Sequence, residues 1–217
     1  MVKGSLLTLF YLESVDSTQN YLKELVRTSN IQLPHAVVSN IQTDGIGSRG
    51  NAWQGLDGNL FLSFAIALKD LPSDLKIESS SIYFAYLLKE TLRELNSEVW
   101  LKWPNDFYLD KFKIGGMITN IVKDVVICGV GLNLAIAPEG FSTLDISISR
   151  EELLKKYFLN IEKKILWKQV FSKYKLEFYK NQNFFTHTNN LRISLEGASL
   201  ESDGSVTING KRIFSLR

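Results

Sequence analysis

The start of the chain alternates between an apolar run and a segment with helical spacing. Residues 5–13 are rich in leucine, phenylalanine and tyrosine, and the apolar positions from Tyr21 to Val26 recur every three or four residues. Between them lies Asp16-Ser17-Thr18, whose side chains are of the type that caps a helix. The pattern therefore predicts a strand, a cap and a helix in that order.

Further apolar runs of strand length follow. Residues 35–42 and 59–68 are predicted as strands on either side of a glycine-bearing loop, residues 43–58. Between Ser79 and Leu95 the spacing predicts a helix that packs on the sheet and is capped by one of the serines before it. Four more strands are predicted at residues 99–103, 107–109, 114–122 and 125–134, with Asp110-Lys111 and Lys123-Asp124 as hairpin turns.

The pattern changes after residue 150. Residues 151–180 have a helix-forming composition with a basic excess, which we interpret as a solvated helical face. Beyond Asn181 short strands are predicted, with Asp203-Gly204 and Asn209-Gly210 as hairpin turns. The sequence thus predicts a larger domain, residues 1–180, followed by a small β-domain, residues 181–217.

Composition and charge narrow the class of protein. The chain has 217 residues, 45% of them hydrophobic, and a formal net charge of +2, so it can bury a sizeable core and lacks the basic excess typical of DNA-binding domains. Cys128 is the single cysteine, which excludes an internal disulfide and favours a cytoplasmic location. Because no apolar run approaches the roughly 20 residues that span a bilayer and no secretory signal is present, we expect a soluble protein.

The densest group of reactive side chains lies in two neighbouring motifs, KWPND at residues 102–106 and KIGG at residues 113–116. Two lysines suit an anionic ligand, and glycine permits close approach of the backbone. Pro104 favours an extended Trp103, so Lys102 and Asn105 are presented from a rigid strand end. The alternatives are an edge strand that enters a turn with Trp103 in the core, and a hairpin with a glycine bulge and a solvated Lys113.

The loop that begins at Gln42 and ends at Trp53 carries glycines with an arginine, Arg49, among them. Such a loop can wrap N–H groups around an anion, while an ordinary surface turn is the alternative. It is neither a Walker loop nor a dinucleotide-binding fingerprint, because no Gly-Lys-Ser/Thr follows and the next segment is predicted as a strand.

A second glycine pair, Gly129 and Gly131, lies within a predicted strand, where glycine is unfavourable. We therefore expect another group to approach that backbone. Asn133 follows with an amide that suits a nucleobase, a phosphate or a structural turn. His35 and His187 have no partners at metal-ligand spacing, so no metal site is assigned.

In their order and spacing, these motifs resemble those of biotin protein ligases. The motifs concerned are residues 16–20, 42–53, 102–106, 113–116 and 129–133, and KWPND followed by KxGG is the most specific of them. The resemblance covers essentially the whole chain. It implies an α+β fold, in which a class II synthetase-like catalytic domain with a mixed, mainly antiparallel sheet flanked by helices precedes a small SH3-like β-barrel.

The resemblance also implies an activity. Biotin protein ligases activate biotin with Mg-ATP to biotinyl-5′-AMP and pyrophosphate, and then transfer biotin to a lysine of a biotin carboxyl carrier protein domain. The expected ligands are therefore biotin, ATP and Mg²⁺, and the expected partner is the carrier domain of a biotin-dependent carboxylase, whereas DNA and membranes are not expected. The oligomeric state stays open, a homodimer included. Such catalysis needs positioning and charge stabilisation rather than an enzyme nucleophile.

Carried over position by position, the resemblance assigns three groups of site residues. The catalytic group is Lys113, Asp106 and Arg49; Lys113 would stabilise charge on the biotin carboxyl and α-phosphate oxygens, and Asp106 would orient or deprotonate the acceptor lysine. The biotin-binding group is Ser17, Thr18, Gln42, Gly45, Lys113 and Gly115. The adenylate-binding group is Gly47, Arg49, Gly50, Trp53, Asn105, Lys113, Gly131 and Asn133.

Two features depart from the family. Its glycine loop often has the pattern GRGRxGR, whereas Ile46, Ser48 and Asn51 stand at three of those arginine positions here. Fewer cations predict weaker nucleotide affinity and easier escape of the adenylate. The chain also starts directly on the predicted catalytic domain, without the winged helix of repressor-type members, so we expect no DNA-binding repressor role.

Two rival functions remain. One is a lipoate or octanoyl ligase or transferase on the same scaffold, against which KWPND and the pair Ser17 and Thr18 argue. The other is a binding module that holds a biotin-like ligand or a carrier domain without catalysis. Lys113 argues against this second rival, because binding alone would not require a lysine beside a glycine loop.

Overall fold

A seven-stranded sheet forms the centre of the computed structural model, which describes residues 7–28, 31–48, 51–188 and 191–215. The strand order is β1-β2-β5-β9-β8-β7-β6. Only β1 and β2 pair in parallel, and the other pairs in this sheet are antiparallel, so the prediction of a mixed, mainly antiparallel sheet is confirmed. The strands are β1 (Thr8–Val15), β2 (His35–Gln42), β5 (Leu60–Ala67), β6 (Trp100–Lys102), β7 (Asp106–Leu109), β8 (Phe112–Val122) and β9 (Val125–Leu132).

Helices cover both faces of this sheet. On one face lies α1 (Thr18–Thr28), whose buried Leu22 packs with Val37 and Ile127. The opposite face carries the larger core, where α2 (Ser80–Arg93), α3 (Arg150–Glu162) and α4 (Trp167–Glu177) meet the sheet. Residues 151–180 thus form two helices, separated at Lys164, which has a positive φ of 46°. None of the helices in the described ranges is long and apolar enough to cross a membrane.

A small hairpin, β3 (Gly45–Ile46) and β4 (Ala52–Trp53), lies between β2 and β5 within the glycine-bearing loop. Gly47 N–H donates to the Asn51 carbonyl at 2.7 Å, which closes the hairpin. We call residues 43–53 the glycine hairpin. Arg49 and Gly50 lie outside the described residues.

The predicted C-terminal β-module is present as two small sheets that share the main core through Leu195, Leu200 and Val206. Asn209-Gly210 forms a two-residue turn with positive φ at both positions, 48° and 74°, as the pattern predicts. Asp203-Gly204 instead lies in a longer connection, residues 201–205. The strands are β10 (Phe185–Thr188), β11 (Leu191–Ser194), β12 (Ser199–Leu200), β13 (Val206–Ile208) and β14 (Lys211–Ile213).

The two predicted helix caps have different outcomes. Ser17 Oγ accepts the backbone N–H of Asn20 at 3.4 Å, which confirms the cap of α1. The predicted serine cap of α2 is wrong, because the N-cap residue Ser79 makes no side-chain cap bond. Its buried hydroxyl donates instead to the carbonyl of Asp203, at 2.7 Å, in the C-terminal module.

Candidate active site

A cleft opens on the face of the sheet that carries α1. It is open to solvent and lies between the start of α1, the glycine hairpin and the middle of β5, β8 and β9. Among the predicted site residues, those that line it are Ser17, Thr18, Gln42, Gly47, Trp53, Asp106, Lys113 and Gly131. The structure therefore brings residues of all five sequence motifs to one place.

One end of the cleft carries a neutral hydrogen-bonded band. Gln42 Oε1 accepts from the backbone N–H of Thr18 at 2.9 Å and from its hydroxyl at 3.0 Å. The Ser63 hydroxyl lies 2.9 Å from Thr18 Oγ1 and 3.0 Å from Gln19 Oε1, and Gln19 Nε2 donates to Asn120 Oδ1 at 3.1 Å. These groups are mostly buried, so their geometry is fixed before a ligand arrives.

Three members of this neutral band were missed by sequence reasoning. Ser63 had a visible signal, because it is the one polar residue in the apolar strand β5. Gln19 belongs to the helix-start motif but received no role, and Asn120 gave no local signal. Their contacts join residues between 44 and 108 positions apart, which a local pattern cannot encode.

The two glycines of β9 make room for the chain's own side chains. A Cβ at Gly129 would lie 2.5 Å from Gln19 Oε1, and one at Gly131 would lie 2.4 Å from Cε2 of the Trp53 indole. The expectation that another group approaches this backbone is confirmed. The Trp53 Nε1 atom is buried there and has no hydrogen-bond partner among the described residues, so an N–H donor remains available inside the cleft.

The other end of the cleft carries the charged residues of the KWPND and KIGG motifs, which we call the charge cluster: Lys102, Asp106 and Lys113. Residues 103–105 form the turn between β6 and β7, so that Lys102 and Asp106 are directly paired across the hairpin. Lys113 Nζ lies 2.6 Å from Asp106 Oδ1, and Lys102 Nζ lies 3.3 Å from Asp106 Oδ2. One carboxylate therefore holds both ammonium groups.

A β-bulge places Lys113 in this cluster. Residues three positions apart in a regular strand point to opposite faces, which would separate Lys113 from Gly116. The register shift between β7 and β8, where Phe107 pairs with Gly115 and Tyr108 with Lys113, leaves Ile114 as the extra residue and restores a common face. A Cβ at Gly116 would lie 3.1 Å from Asp106 Oδ1 and 3.5 Å from Lys113 Nζ, so this glycine provides space for the ion pair.

The purely structural interpretations of the KWPND and KIGG motifs, an edge strand with a turn and a bulged hairpin, are each correct in part. β6 is an edge strand that enters a turn, and Trp103 is fully buried in the core. β7 and β8 form a hairpin with a bulge, but Lys113 is not simply solvated, since its side chain is only 25% exposed and is paired with Asp106. Core packing and a reactive cluster therefore occupy the same hairpins.

The electrostatic balance keeps Asp106 ionised. Burial by itself would raise the pKa of Asp106, but the charges of Lys113 and Lys102 and their hydrogen bonds outweigh burial and hold this pKa below its ordinary value of 3.8. At neutral pH the cluster therefore contains two cations and one anion. Its net positive charge suits a carboxylate or a phosphate.

The remaining predicted site residues have mainly structural contacts. Asn133 is buried and its amide donates to the carbonyl of Ser142 at 3.2 Å, which is the turn role weighed as its alternative. Gly115 allows β8 to approach β9, and Gly45 allows β3 to approach β4, because a Cβ would meet the carbonyl of Gly131 or Trp53 at 2.6 or 2.5 Å. Asn105 lines an adjoining cleft beside Ser48.

No group of three or more His, Cys, Asp or Glu side chains that could hold a metal ion occurs among the described residues. Asp106 is the carboxylate of the main cleft, and both of its oxygens are engaged by lysines. Mg²⁺ is usually held by one or two carboxylates together with substrate phosphates and water. The described residues thus provide no complete Mg²⁺ site in the absence of nucleotide.

Comparison with known proteins places the chain in a family. Residues 11–133 match the model of the Biotin/lipoate A/B protein ligase family. The bifunctional ligase/repressor BirA of Salmonella typhimurium is 29% identical over 192 residues, which cover 80% of this chain and 59% of that protein. The chain spans between 35 and 59% of the length of the first three curated relatives that it matches.

Solved structures agree over nearly the full chain. The biotin acetyl coenzyme A carboxylase synthetase of Helicobacter pylori, described with bound biotinylated ATP, has a TM-score of 0.91 and 38% identity, covering 95% of this chain and 99% of that one. The biotin protein ligase of Aquifex aeolicus, described in complex with biotin and ATP, has a TM-score of 0.78 and 26% identity, covering 97% and 98%. These neighbours bear out the predicted α+β class, including the small C-terminal domain. The chain therefore belongs to the biotin/lipoate A/B protein ligase family, and within it to the biotin protein ligases.

Proposed function

We propose that this chain is a biotin protein ligase, which joins biotin to AMP and then transfers it to a lysine of a biotin carboxyl carrier protein domain. The observation that carries the proposal is the pairing, in one cleft, of a buried neutral band at one end with a cationic cluster at the other. A ligand with a neutral polar head and a carboxylate tail matches both ends.

The neutral band would bind the ureido head of biotin. That head presents N–H donors and a carbonyl acceptor, and Ser17, Thr18, Gln42 and Ser63 offer hydroxyl and amide groups of both kinds. Because Thr18 and Ser63 are already hydrogen-bonded to their neighbours, little side-chain entropy would be lost on binding. The apolar side chain of Ile118 lies on the cleft face of the sheet beside Gly129 and would cover part of the rest of the molecule.

In the first step, a carboxylate oxygen of biotin attacks the α-phosphorus of ATP and the bond to pyrophosphate breaks. Lys113 is the residue for this step, because an ammonium group has three donors. One donor can stay on Asp106 Oδ1, 2.6 Å away, while the others bind the carboxylate and an α-phosphate oxygen. The lysine would offset the negative charge that accumulates between the two reactants.

Trp53 and the glycine hairpin would cover the adenylate. The indole already lies on the backbone at Gly131, with its Nε1 donor unpaired among the described residues. An adenine ring could stack on that indole. The roles proposed for Arg49 and Gly50 concern residues outside the described ranges and rest on the sequence resemblance.

In the second step, the amine of the acceptor lysine attacks the acyl carbon and AMP leaves. Asp106 would accept a hydrogen bond from that amine and orient it. The lowered pKa of Asp106 makes this carboxylate a weak base, so orientation is favoured over removal of the proton. Mg²⁺ would enter with the ATP phosphates, where it adds positive charge. We also propose a cytoplasmic location for the protein.

The proposal is tested by exchange of labelled pyrophosphate into ATP. We expect exchange that depends on biotin and not on lipoate, followed by incorporation of biotin into a purified carrier domain but not into one whose acceptor lysine is replaced. Exchange with lipoate alone would identify a lipoate-type ligase. Biotin binding without exchange would identify a binding module, and either result would overturn the proposal.

A further inference from the structure

The C-terminal module docks on the larger part of the chain through three consecutive carbonyl groups. Trp167 Nε1 donates to the carbonyl of Ser202 at 2.8 Å, and the Ser79 hydroxyl donates to that of Asp203 at 2.7 Å. Trp103 Nε1 donates to the carbonyl of Gly204, also at 2.8 Å. We call residues 202–204 the docking loop. Its backbone is fixed by donors from three separate elements.

The docking loop is also rigid by itself. The Asp203 carboxylate accepts from the Ser205 backbone and hydroxyl, at 3.0 and 2.6 Å, and from Arg212 Nη2 at 2.7 Å. Gly204 has a φ of +79°, and a Cβ there would lie 2.7 Å from Ile82 Cδ1, so both its conformation and its packing require glycine. Because this loop is held firmly, it can fix the positions of the side chains that contact it.

Asn181 holds the same tryptophan from a second direction. Its side chain is fully buried; Oδ1 accepts the backbone N–H of Trp103 at 2.7 Å, and Nδ2 donates to the carbonyl of Phe178 at 3.1 Å. Trp103 lies in the turn that follows β6, outside the paired residues of the sheet, so its N–H is bound by Asn181 rather than by a neighbouring strand. The backbone N–H and the indole N–H of Trp103 are thus both bound by residues beyond position 180.

Trp103 begins the three-residue turn that joins the two sides of the charge cluster. Lys102 and Asp106 flank this turn as a directly opposed pair, and Asp106 Oδ1 holds Lys113 at 2.6 Å. So short a turn transmits a shift of Trp103 to both flanking residues. The neutral band, in contrast, is carried by α1, β2, β5 and β8, and the hydrogen bonds described for it do not involve this turn.

We propose that Asn181 and the docking loop are positioning elements, which hold Trp103 so that Asp106 and Lys113 keep the geometry needed for adenylation. The C-terminal module would then act on catalysis through one buried tryptophan rather than by contact with the reactants. This inference rests on the proposed function, because adenylation is its catalytic readout.

Two matched pairs of variants test it. Trp103→Phe and Trp167→Phe each remove one indole N–H bond to the docking loop, but only Trp103 belongs to the turn. In Trp167→Phe the bonds from Ser79 and Trp103 still hold the loop against the turn. Asn181→Ala and Asn160→Ala each remove a buried amide; Asn160 binds Thr91 Oγ1 at 2.8 Å, between α3 and α2. All four should lose stability to a similar extent, so kinetics are measured at a temperature where circular dichroism shows each variant folded.

We expect kcat for biotin-dependent pyrophosphate exchange to fall about tenfold in Trp103→Phe and Asn181→Ala, with the KM for biotin changed less than about twofold. Trp167→Phe and Asn160→Ala should keep kcat within about twofold of the wild type. A fall of less than about threefold in both test variants, or an equal fall in their controls, would overturn the proposal.

Amide hydrogen exchange measured by mass spectrometry gives a readout independent of catalysis. The amides of residues 103–107 should exchange faster in Asn181→Ala than in the wild type. Their exchange rates in Asn160→Ala should equal those of the wild type. If the wild type shows no biotin-dependent pyrophosphate exchange, the proposed function fails, while unaltered amide exchange in Asn181→Ala would count against the positioning role alone.

Discussion

The cleft has two walls that meet a ligand in different ways. On the sheet side, the charge cluster is fixed by hairpins, a bulge and ion pairs of 2.6 and 3.3 Å. On the opposite side, the glycine hairpin presents Ile46 and Ser48, which are uncharged, at positions where the resemblance to biotin protein ligases led us to expect arginine. The contrast indicates that recognition of negative charge depends mainly on the sheet side in the described part of the site.

Among the changes that test this contrast, removal of the Lys113 ammonium group on the sheet side should reduce activity most. In Lys113→Ala we expect kcat for pyrophosphate exchange to fall about 100-fold or more, because the proposed function puts this ammonium group where charge develops during adenylation. The measurement is steady-state exchange at saturating biotin and ATP.

A matched control lies on the same hairpin. Lys111 is exposed near the β7–β8 turn, over the ring of Phe112, and Lys111→Ala should keep kcat within about twofold. Equal losses in the two variants would mean that general positive charge matters rather than the position of Lys113. Activity that survives Lys113→Ala would remove this lysine from its role.

Trp53 links the two walls, and a small change beneath it should separate their contributions. In Gly131→Ala the added Cβ would lie 2.4 Å from Cε2 of the indole, so the indole must move. We expect the KM for ATP to rise about tenfold while the KM for biotin stays nearly constant, since stacking with adenine is lost. Exchange kinetics with each substrate varied in turn provide the measurement.

A double-mutant cycle shows whether the higher KM for ATP in Gly131→Ala is caused by displacement of Trp53. If Gly131→Ala acts through Trp53, it should add little to the defect of Trp53→Ala. An effect of the same size in both backgrounds would instead point to the sheet, where Gly131 pairs with Phe61 and Gly116.

Features that depend on local patterning were predicted from the sequence better than features that depend on tertiary packing. Alternation and turn residues located β2, β8 and the Asn209-Gly210 turn, because these depend on local patterning. The motifs likewise identified Lys113 and Asp106, which are close in sequence. A bulge within residues 113–116 was among the alternatives, but its position at Ile114 and the docking of Ser79 on Asp203 were not predicted, since both depend on tertiary packing.

The sheet side should also respond to acid. Because the folded pKa of Asp106 lies below its ordinary value of 3.8, its ion pairs stabilise the fold above that value, and this contribution is lost as the pH falls through the folded pKa. We expect Asp106→Asn to lower Tm by about 3 °C between pH 5 and 8. The difference from the wild type should shrink below about pH 4, and calorimetry across this range would measure it. A difference that stays constant down to pH 2 would contradict the assigned ion pairs.

The smallest effect is expected from adding a positive charge to the glycine hairpin, which would make this wall more like the sheet side. Ile46 is 36% exposed and lines the cleft on the glycine hairpin, so Ile46→Arg would add a cation there without disturbing the core. An exposed charge pair contributes up to about 1 kcal/mol, and we therefore expect the adenylate to dissociate about threefold more slowly. Dissociation is measured by chasing preformed labelled biotinyl-5′-AMP with unlabelled adenylate, and Ile46→Gln is the control for side-chain length. Equal rates in the wild type, Ile46→Arg and Ile46→Gln would show that the sheet side alone sets adenylate retention, and would remove the arginine-poor hairpin as a cause of easier escape.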